Sequence, residues 1–180
     1  MDQLVEIPPE EIVVLSKRLK AVPSYYVPRL EPEQLAAVIR KRHAVIMWQE
    51  DRIEAFAALW PTNLPNCFEL GTVWVGEGLR GQGLRGVLMA EAIALAPKDA
   101  DLFLFTSVGK IMESAALLGF EPITTSKERV LLWASDVGVV TRLPRSIHPI
   151  VGPDVWGKPK EKERWLFWKR RQIVGKGAHD

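Results

Sequence analysis

"VWVGEGLRGQGLRGVLMAEAI", residues 73–93, sets five glycines, Gly76, Gly78, Gly81, Gly83 and Gly86, between an apolar β-type run and an apolar helical run. A flexible linker would not be framed by two ordered elements. The pattern describes a strand feeding a loop whose backbone N–H groups converge on a helix N-terminus, with Arg80 and Arg85 beside it. Such a loop suits a multiply charged phosphate, because the helix end is electropositive and glycine lets a ligand approach the main chain closely. A turn that needs glycine only for its own geometry is the plainer reading of the same residues. The anion site is the stronger of the two.

Two rival phosphate motifs fail on context. "GQGLRG", residues 81–86, satisfies G-x-G-x-x-G. The dinucleotide fingerprint, however, needs its first glycine almost directly after the strand and an acidic residue about 20 positions on. Here several residues separate Val75 from Gly81, and the next strand ends in Thr106 and Ser107 with no carboxylate. A phosphate-loop NTPase needs Gly-Lys-Ser/Thr before the helix, where this chain has Gly83, Leu84 and Arg85.

Outward from the loop, hydrophobic spacing predicts the order of elements. "PPEEIVVLSKRLKAV" places Ile12, Leu15, Leu19 and Val22 at helical intervals after two prolines, and "EPEQLAAVIRKRH" reads as a second helix. "PSYYVPRL" between them is a proline-bounded loop carrying Tyr25 and Tyr26. "AVIMWQEDRIEAFAALW" reads as a hairpin turning at Glu50 and Asp51, with "CFELGTVWV" as the next, antiparallel strand. After the loop, Leu84, Val87, Leu88, Glu91, Ala92 and Leu95 mark a helical face that stops at Pro97. "DLFLFTS" is a buried-type strand, "KIMESAALLGF" a helix closed by Gly119, and "RVLLWAS" a further strand. The fold class is α/β, with a mixed, mostly antiparallel central sheet flanked by helices.

With 180 residues and 47% apolar content, the chain can bury one substantial core. A single cysteine, Cys67, excludes an intrachain disulfide and fits a reducing, cytoplasmic setting. The acidic, proline-broken start is unlike a signal peptide, and no apolar run approaches the roughly 20 residues of a membrane span, so a soluble protein is expected. Charge is uneven. Residues 1–136 carry 14 Lys/Arg against 18 Asp/Glu, a net of −4, and residues 137–180 carry 10 against 4, a net of +6, which together give the overall +2. A domain over residues 1–135 is therefore expected, followed by a basic, aromatic-containing extension over 136–180.

"VGEGLRGQGLRG", residues 75–86, resembles the acyl-CoA pyrophosphate loop of the GNAT acetyltransferases, whose pattern is Gln/Arg-x-x-Gly-x-Gly/Ala, five residues after a strand valine. Val75, Arg80 and Gly83 match. Arg85 occupies the last position, with Gly86 displaced by one. "LLGFEP", residues 117–122, is similar to the family's closing helix-to-strand signature, and the element order over residues 1–135 is the family's order. The resemblance implies acetyl-CoA as the cofactor, with Val73, Trp74, Val75, Arg80, Gly81, Gly83, Arg85 and Gly86 around it.

It also implies roles. The strand before the loop is expected to splay from its neighbour, with the Val75 amide as oxyanion donor. Glu69, six residues before Val75, matches the position of the general base in the histone-acetylating branch, and strand alternation puts it on the face of Val73 and Val75. A base is needed because a lysine amine, with a pKa of about 10.4, is mostly protonated at neutral pH. A solvated strand carboxylate is the equal alternative. The family's usual general-acid tyrosine is replaced by Ala115, leaving Ser114, Tyr25 or Tyr26 as donors. Tyr25 and Tyr26 also lie on the loop that borders the acceptor in the family, against the plainer reading of packed or exposed aromatics. His43 is expected to serve at a helix end and Cys67 to pack, neither in catalysis.

The function expected is an N-acetyltransferase acting on a primary amine, small molecule or protein, by direct attack. Its alternative is a GNAT-fold binding module without catalysis, associated with nucleic acid or the ribosome through the tail. "KPKEKERWLFWKRRQIVGK", residues 158–176, mixes cations with Trp165, Phe167 and Trp168. Phosphate contacts with base stacking, or docking on the domain or on a second subunit of a homodimer, would each use that mixture, and docking is favoured. Deleting residues 153–180 is expected to leave the coenzyme site folded.

Overall fold

The computed structural model of the chain describes residues 7–22, 30–61, 66–106, 108–122 and 166–171. Helices α1 (Pro9–Lys20) and α2 (Pro32–Arg40) each begin with a proline in the first turn, where a missing N–H removes no hydrogen bond. Strands β1 (Ala44–Gln49), β2 (Arg52–Pro61) and β3 (Cys67–Val75) form an antiparallel meander. Glu50 turns the first hairpin with a φ of +54°. The glycine loop leads into α3 (Leu84–Ala94), and β4 (Asp101–Thr106) returns parallel to β3, as a strand–helix–strand crossover requires. Helix α4 (Gly109–Leu117) ends at Gly119, whose φ of +80° closes it, and the short β5 (Glu121–Pro122) follows.

The sheet order is β1-β2-β3-β4-β6-β5. Strand β6 (Leu166–Arg171) comes from the basic extension and pairs antiparallel with β4 from Asp101↔Arg171 to Thr106↔Leu166. The extension therefore contributes a strand to this sheet, which bears on the expectation that the coenzyme site stays folded when residues 153–180 are deleted. The stretch expected as a strand over residues 129–135, the start of the chain and the loop with Tyr25 and Tyr26 lie outside the described residues.

Alternation along β2 divides the core. Ala55, Ala57 and Leu59 face α3 and α4, together with Leu70, Val73, Leu88, Met89 and Leu104. Phe56, Ala58 and Trp60 face α1 and α2, together with Leu15, Leu19, Leu35, Val38 and Trp74. On α3 the buried stripe is Leu88, Met89, Ala92 and Ile93, while Val87 is 51% exposed and Leu95 also faces solvent. The face read from the sequence is thus rotated by about one residue. So many apolar residues in one helix support two stripes by spacing alone, and contact with the sheet selects between them.

Candidate active site

Among the described residues, the parallel ladder of β3 to β4 runs from Cys67↔Asp101 to Leu70↔Leu104, whereas the ladder to β2 continues to Ala55↔Val75. The divergence starts at a bulge. Phe56 lies opposite Trp74 but Ala58 lies opposite Gly71, so β3 holds one residue more than β2 across that interval. Thr72 absorbs the extra length with a φ of +56°, an unfavourable conformation for a β-branched residue, and its Oγ1 accepts a hydrogen bond from the Trp60 indole N–H at 3.1 Å. Strain of this kind concentrates at functional sites.

The bulge corrects the expected placement of Glu69. Glu69 lies opposite Trp60 and so shares the α1/α2 face with Trp60 and Trp74, while Val73 and Val75 pack toward α3 and α4. Simple alternation fails because the inserted residue shifts the pattern by one. Glu69 is 9% exposed and lies opposite Phe103 of β4, one residue before the ladder ends.

Beyond the bulge, Gly76 N–H donates to the Glu54 carbonyl at 2.7 Å. Because successive N–H groups in an extended strand point to opposite edges, the Val75 N–H is directed to the edge where β4 has diverged. The Val75 carbonyl accepts a hydrogen bond from Arg80 Nε at 3.3 Å, which folds the loop back over the strand end. Arg80 also approaches Glu77 at 3.6 Å, a pair in open solvent.

After a single 3₁₀ turn at Glu77–Leu79, Gly83 caps α3 with a φ of +74° and no side-chain cap. In the first turn of α3 the Gly86 N–H donates to Gly83 O at 3.2 Å, while the N–H groups before it have no place in the helical ladder, so this end suits an anion. The space around it is open: a Cβ added at Gly81, Gly83 or Gly86 would meet nothing within 4 Å. Gly76 differs, since a Cβ there would fall 2.1 Å from Glu54 Oε2 and 3.0 Å from the Glu54 carbonyl. Arg85 is half-buried in the first turn of α3.

The helix before Gly119 offers no acid at the expected place. Ala115 is fully buried in the core under α4, and the half-buried Ser114 donates its hydroxyl to the Lys110 carbonyl at 3.0 Å. Cys67 is buried at the start of β3. His43 leads from α2 into β1: its N–H donates to Val38 O at 3.0 Å, and its ring meets Phe68 edge-on at 5.2 Å. Its Nδ1 is buried with no hydrogen-bond partner among the described residues, and desolvation, followed by nearby Lys41, holds its pKa below the ordinary value.

A cluster that local spacing could not reveal lies on the α1 side of the strand end. Arg18 of α1 donates to Ile53 O at 2.8 Å, pairs with Glu54 Oε2 at 2.7 Å and stacks 4.6 Å over the Trp74 ring. Arg18, Glu54, Trp74, Glu77 and Arg80 line part of a cavity of about 610 Å³.

A glycine-capped helix N-terminus thus stands beside a strand that leaves its parallel neighbour. The profile of the "Acetyltransferase (GNAT) family" matches residues 14–112, and the chain belongs to that family of acetyltransferase enzymes. Solved structures share its fold at low identity. Ard1 from Thermoplasma volcanium superposes with a TM-score of 0.58 at 12% identity, covering 92% of this chain and 94% of that one. The ribosomal-protein-alanine N-acetyltransferase from Brucella melitensis gives 0.56 at 16%, covering 91% and 96%. The N-acetylglutamate synthase from Neisseria gonorrhoeae, complexed with coenzyme A and N-acetyl-glutamate, gives 0.51 at 16%, covering 91% of this chain and 32% of that one. A search of the curated proteins gives no match. Among the described residues, no helix is long and apolar enough to cross a membrane.

Proposed function

We propose that the protein transfers an acetyl group from acetyl-CoA to a primary amine by direct attack. The observation that carries this reading is the junction of two features: the open cradle at Gly81, Gly83 and Gly86, and the strand edge at Val75 that β4 leaves free. The first-turn N–H groups of α3, with Arg80 and Arg85, would hold the pyrophosphate. The main chain of Val73, Trp74 and Val75 would bind the pantetheine arm in the opening between β3 and β4. When bound, the coenzyme supplies an acetyl group activated as a thioester.

The Val75 N–H then stabilises the carbonyl oxygen as it gains negative charge, an effect strongest where water is excluded. Glu69 acts from the opposite face of the sheet. With α3 and its cradle on one side, an acceptor reaching the opening from the α1/α2 side meets Glu69, which takes the ammonium proton before or during attack. Tyr25 and Tyr26, which follow α1 in the sequence, are the proposed acceptor-binding residues on the strength of the family resemblance. In support of docking over nucleic-acid binding, β6 places part of the 136–180 extension within the sheet.

The test is release of free thiol from acetyl-CoA across a panel of amines, for the wild type and Glu69→Gln. Amine-dependent release is expected, and Glu69→Gln should lower turnover roughly 10²- to 10⁴-fold at little cost in coenzyme affinity. Coenzyme binding without thiol release for any amine would favour the non-catalytic alternative. Equal turnover of the variant would assign the proton to another group or to water.

A further inference from the structure

The end of β3 has a mechanical problem. Its last residues follow a bulge, have lost the β4 ladder and precede a glycine loop, yet Val75 must be held steady for a backbone N–H to act on a developing charge. Strand β2 supports one edge only. On the α1/α2 face above that edge stands Arg18, whose three contacts grip both strands: Ile53 O and Glu54 Oε2 on β2, and the Trp74 ring on β3. Glu54 passes the constraint on, because its carbonyl accepts the Gly76 N–H and its carboxylate fills the space that a side chain at position 76 would need.

We propose that Arg18 is a positioning residue that clamps the end of β3 beyond the bulge, fixing the Val75 amide for the thioester oxygen. Its planar guanidinium suits the task, since it can stack on an indole and donate in two directions at once, which a lysine ammonium cannot reproduce. The Arg18–Glu54 pair is partly shielded, with side-chain exposures of 30% and 18%, and sits in the last turn of α1, where a cation also complements the helix dipole. The clamp links helix α1 to the strand proposed to receive the coenzyme.

This inference rests on the acetyl-transfer reading, so one arm of its test needs no activity. Amide hydrogen exchange over residues 73–76 is measured in the coenzyme-free protein for wild type, Arg18→Met, which keeps an apolar stem over Trp74, and Arg18→Lys. Exchange in that segment is expected to rise about tenfold or more in Arg18→Met, with Arg18→Lys between, while residues 67–70 stay protected. In the second arm, Arg18→Met is expected to lower kcat by about 10- to 100-fold with the acetyl-CoA Kd changed less than about threefold, well below the melting transition. A residue that only tethers α1 would lower the melting temperature and leave both segment exchange and kcat untouched, and that result overturns the proposal. If the wild type has no turnover, the exchange arm alone decides. Should Arg18→Met fail to fold, Arg18→Lys must still show raised exchange at 73–76, and wild-type exchange there rejects the clamp.

Discussion

The first and second halves of β3 differ in how they are held rather than in their composition. Residues 67–70 sit between two ladders, while beyond them Gly71, Trp74 and Val75 are in register with β2, and the bulge at Thr72 interrupts that register. The paired half is sheet interior, with Leu70 fully buried. The other half trades a neighbour for an opening beside an anion cradle. A backbone edge that leaves its neighbour inside a sheet is costly unless something else satisfies it, and this is the ground on which the coenzyme site is proposed there.

The contrast can be broken most severely from the far side of β4. That strand has β3 on one edge and β6 on the other, so removing residues 166–180 exposes the whole outer edge from Asp101 to Thr106. A truncated chain is expected to melt at a clearly lower temperature and to self-associate through that edge, checked by calorimetry and light scattering. An unchanged melting curve would mean that β6 is dispensable.

A smaller effect is expected at the junction itself. In Gly76→Val the new Cβ meets the Glu54 carboxylate, which can swing away only by leaving Arg18, and the Glu54 carbonyl, which is fixed in β2. Denaturant unfolding should show a loss of about 1–3 kcal/mol, typical of overpacking. Gly86→Ala, with open space around it, should leave stability nearly unchanged.

The smallest effect lies far from the opening, at His43, where desolvation favours the neutral ring. A folded-state pKa below the ordinary histidine value of 6.5 means that its contribution is fully present above that value and is lost as pH falls through the lowered pKa. The fall in melting temperature between about pH 7 and pH 5 should therefore be shallower in His43→Gln than in the wild type. Identical slopes would show that the ring gains its proton without penalty.

Much of this architecture was legible. Helices α1 to α4, the hairpin at Glu50 and the order leading into the glycine loop follow from spacing and punctuation, whereas the acyl-CoA reading of the loop comes from its resemblance to the family's motif. What spacing could not reach were events that depend on partners. No period announces that Thr72 bulges, because the extra residue is defined only against β2, and so Glu69 emerges on the face opposite the expected one. The Arg18–Glu54 pair spans 36 positions, and strand β6 joins a sheet begun more than 100 residues earlier. The wide apolar surface of α3 hid its true stripe for the same reason: the sheet chooses it.

The central claim, that the loop and the end of β3 beyond the bulge together form the coenzyme site, is tested most directly by titrating acetyl-CoA into the isotope-labelled protein and following each backbone amide. Large, saturable shifts are expected at residues 73–76 and at 81–86, with residues 67–70 little affected, and all of them lost in Gly83→Val, where a branched side chain would occupy the cradle at a positive φ. Shifts confined to other parts of the chain, or undiminished in Gly83→Val, would contradict the account.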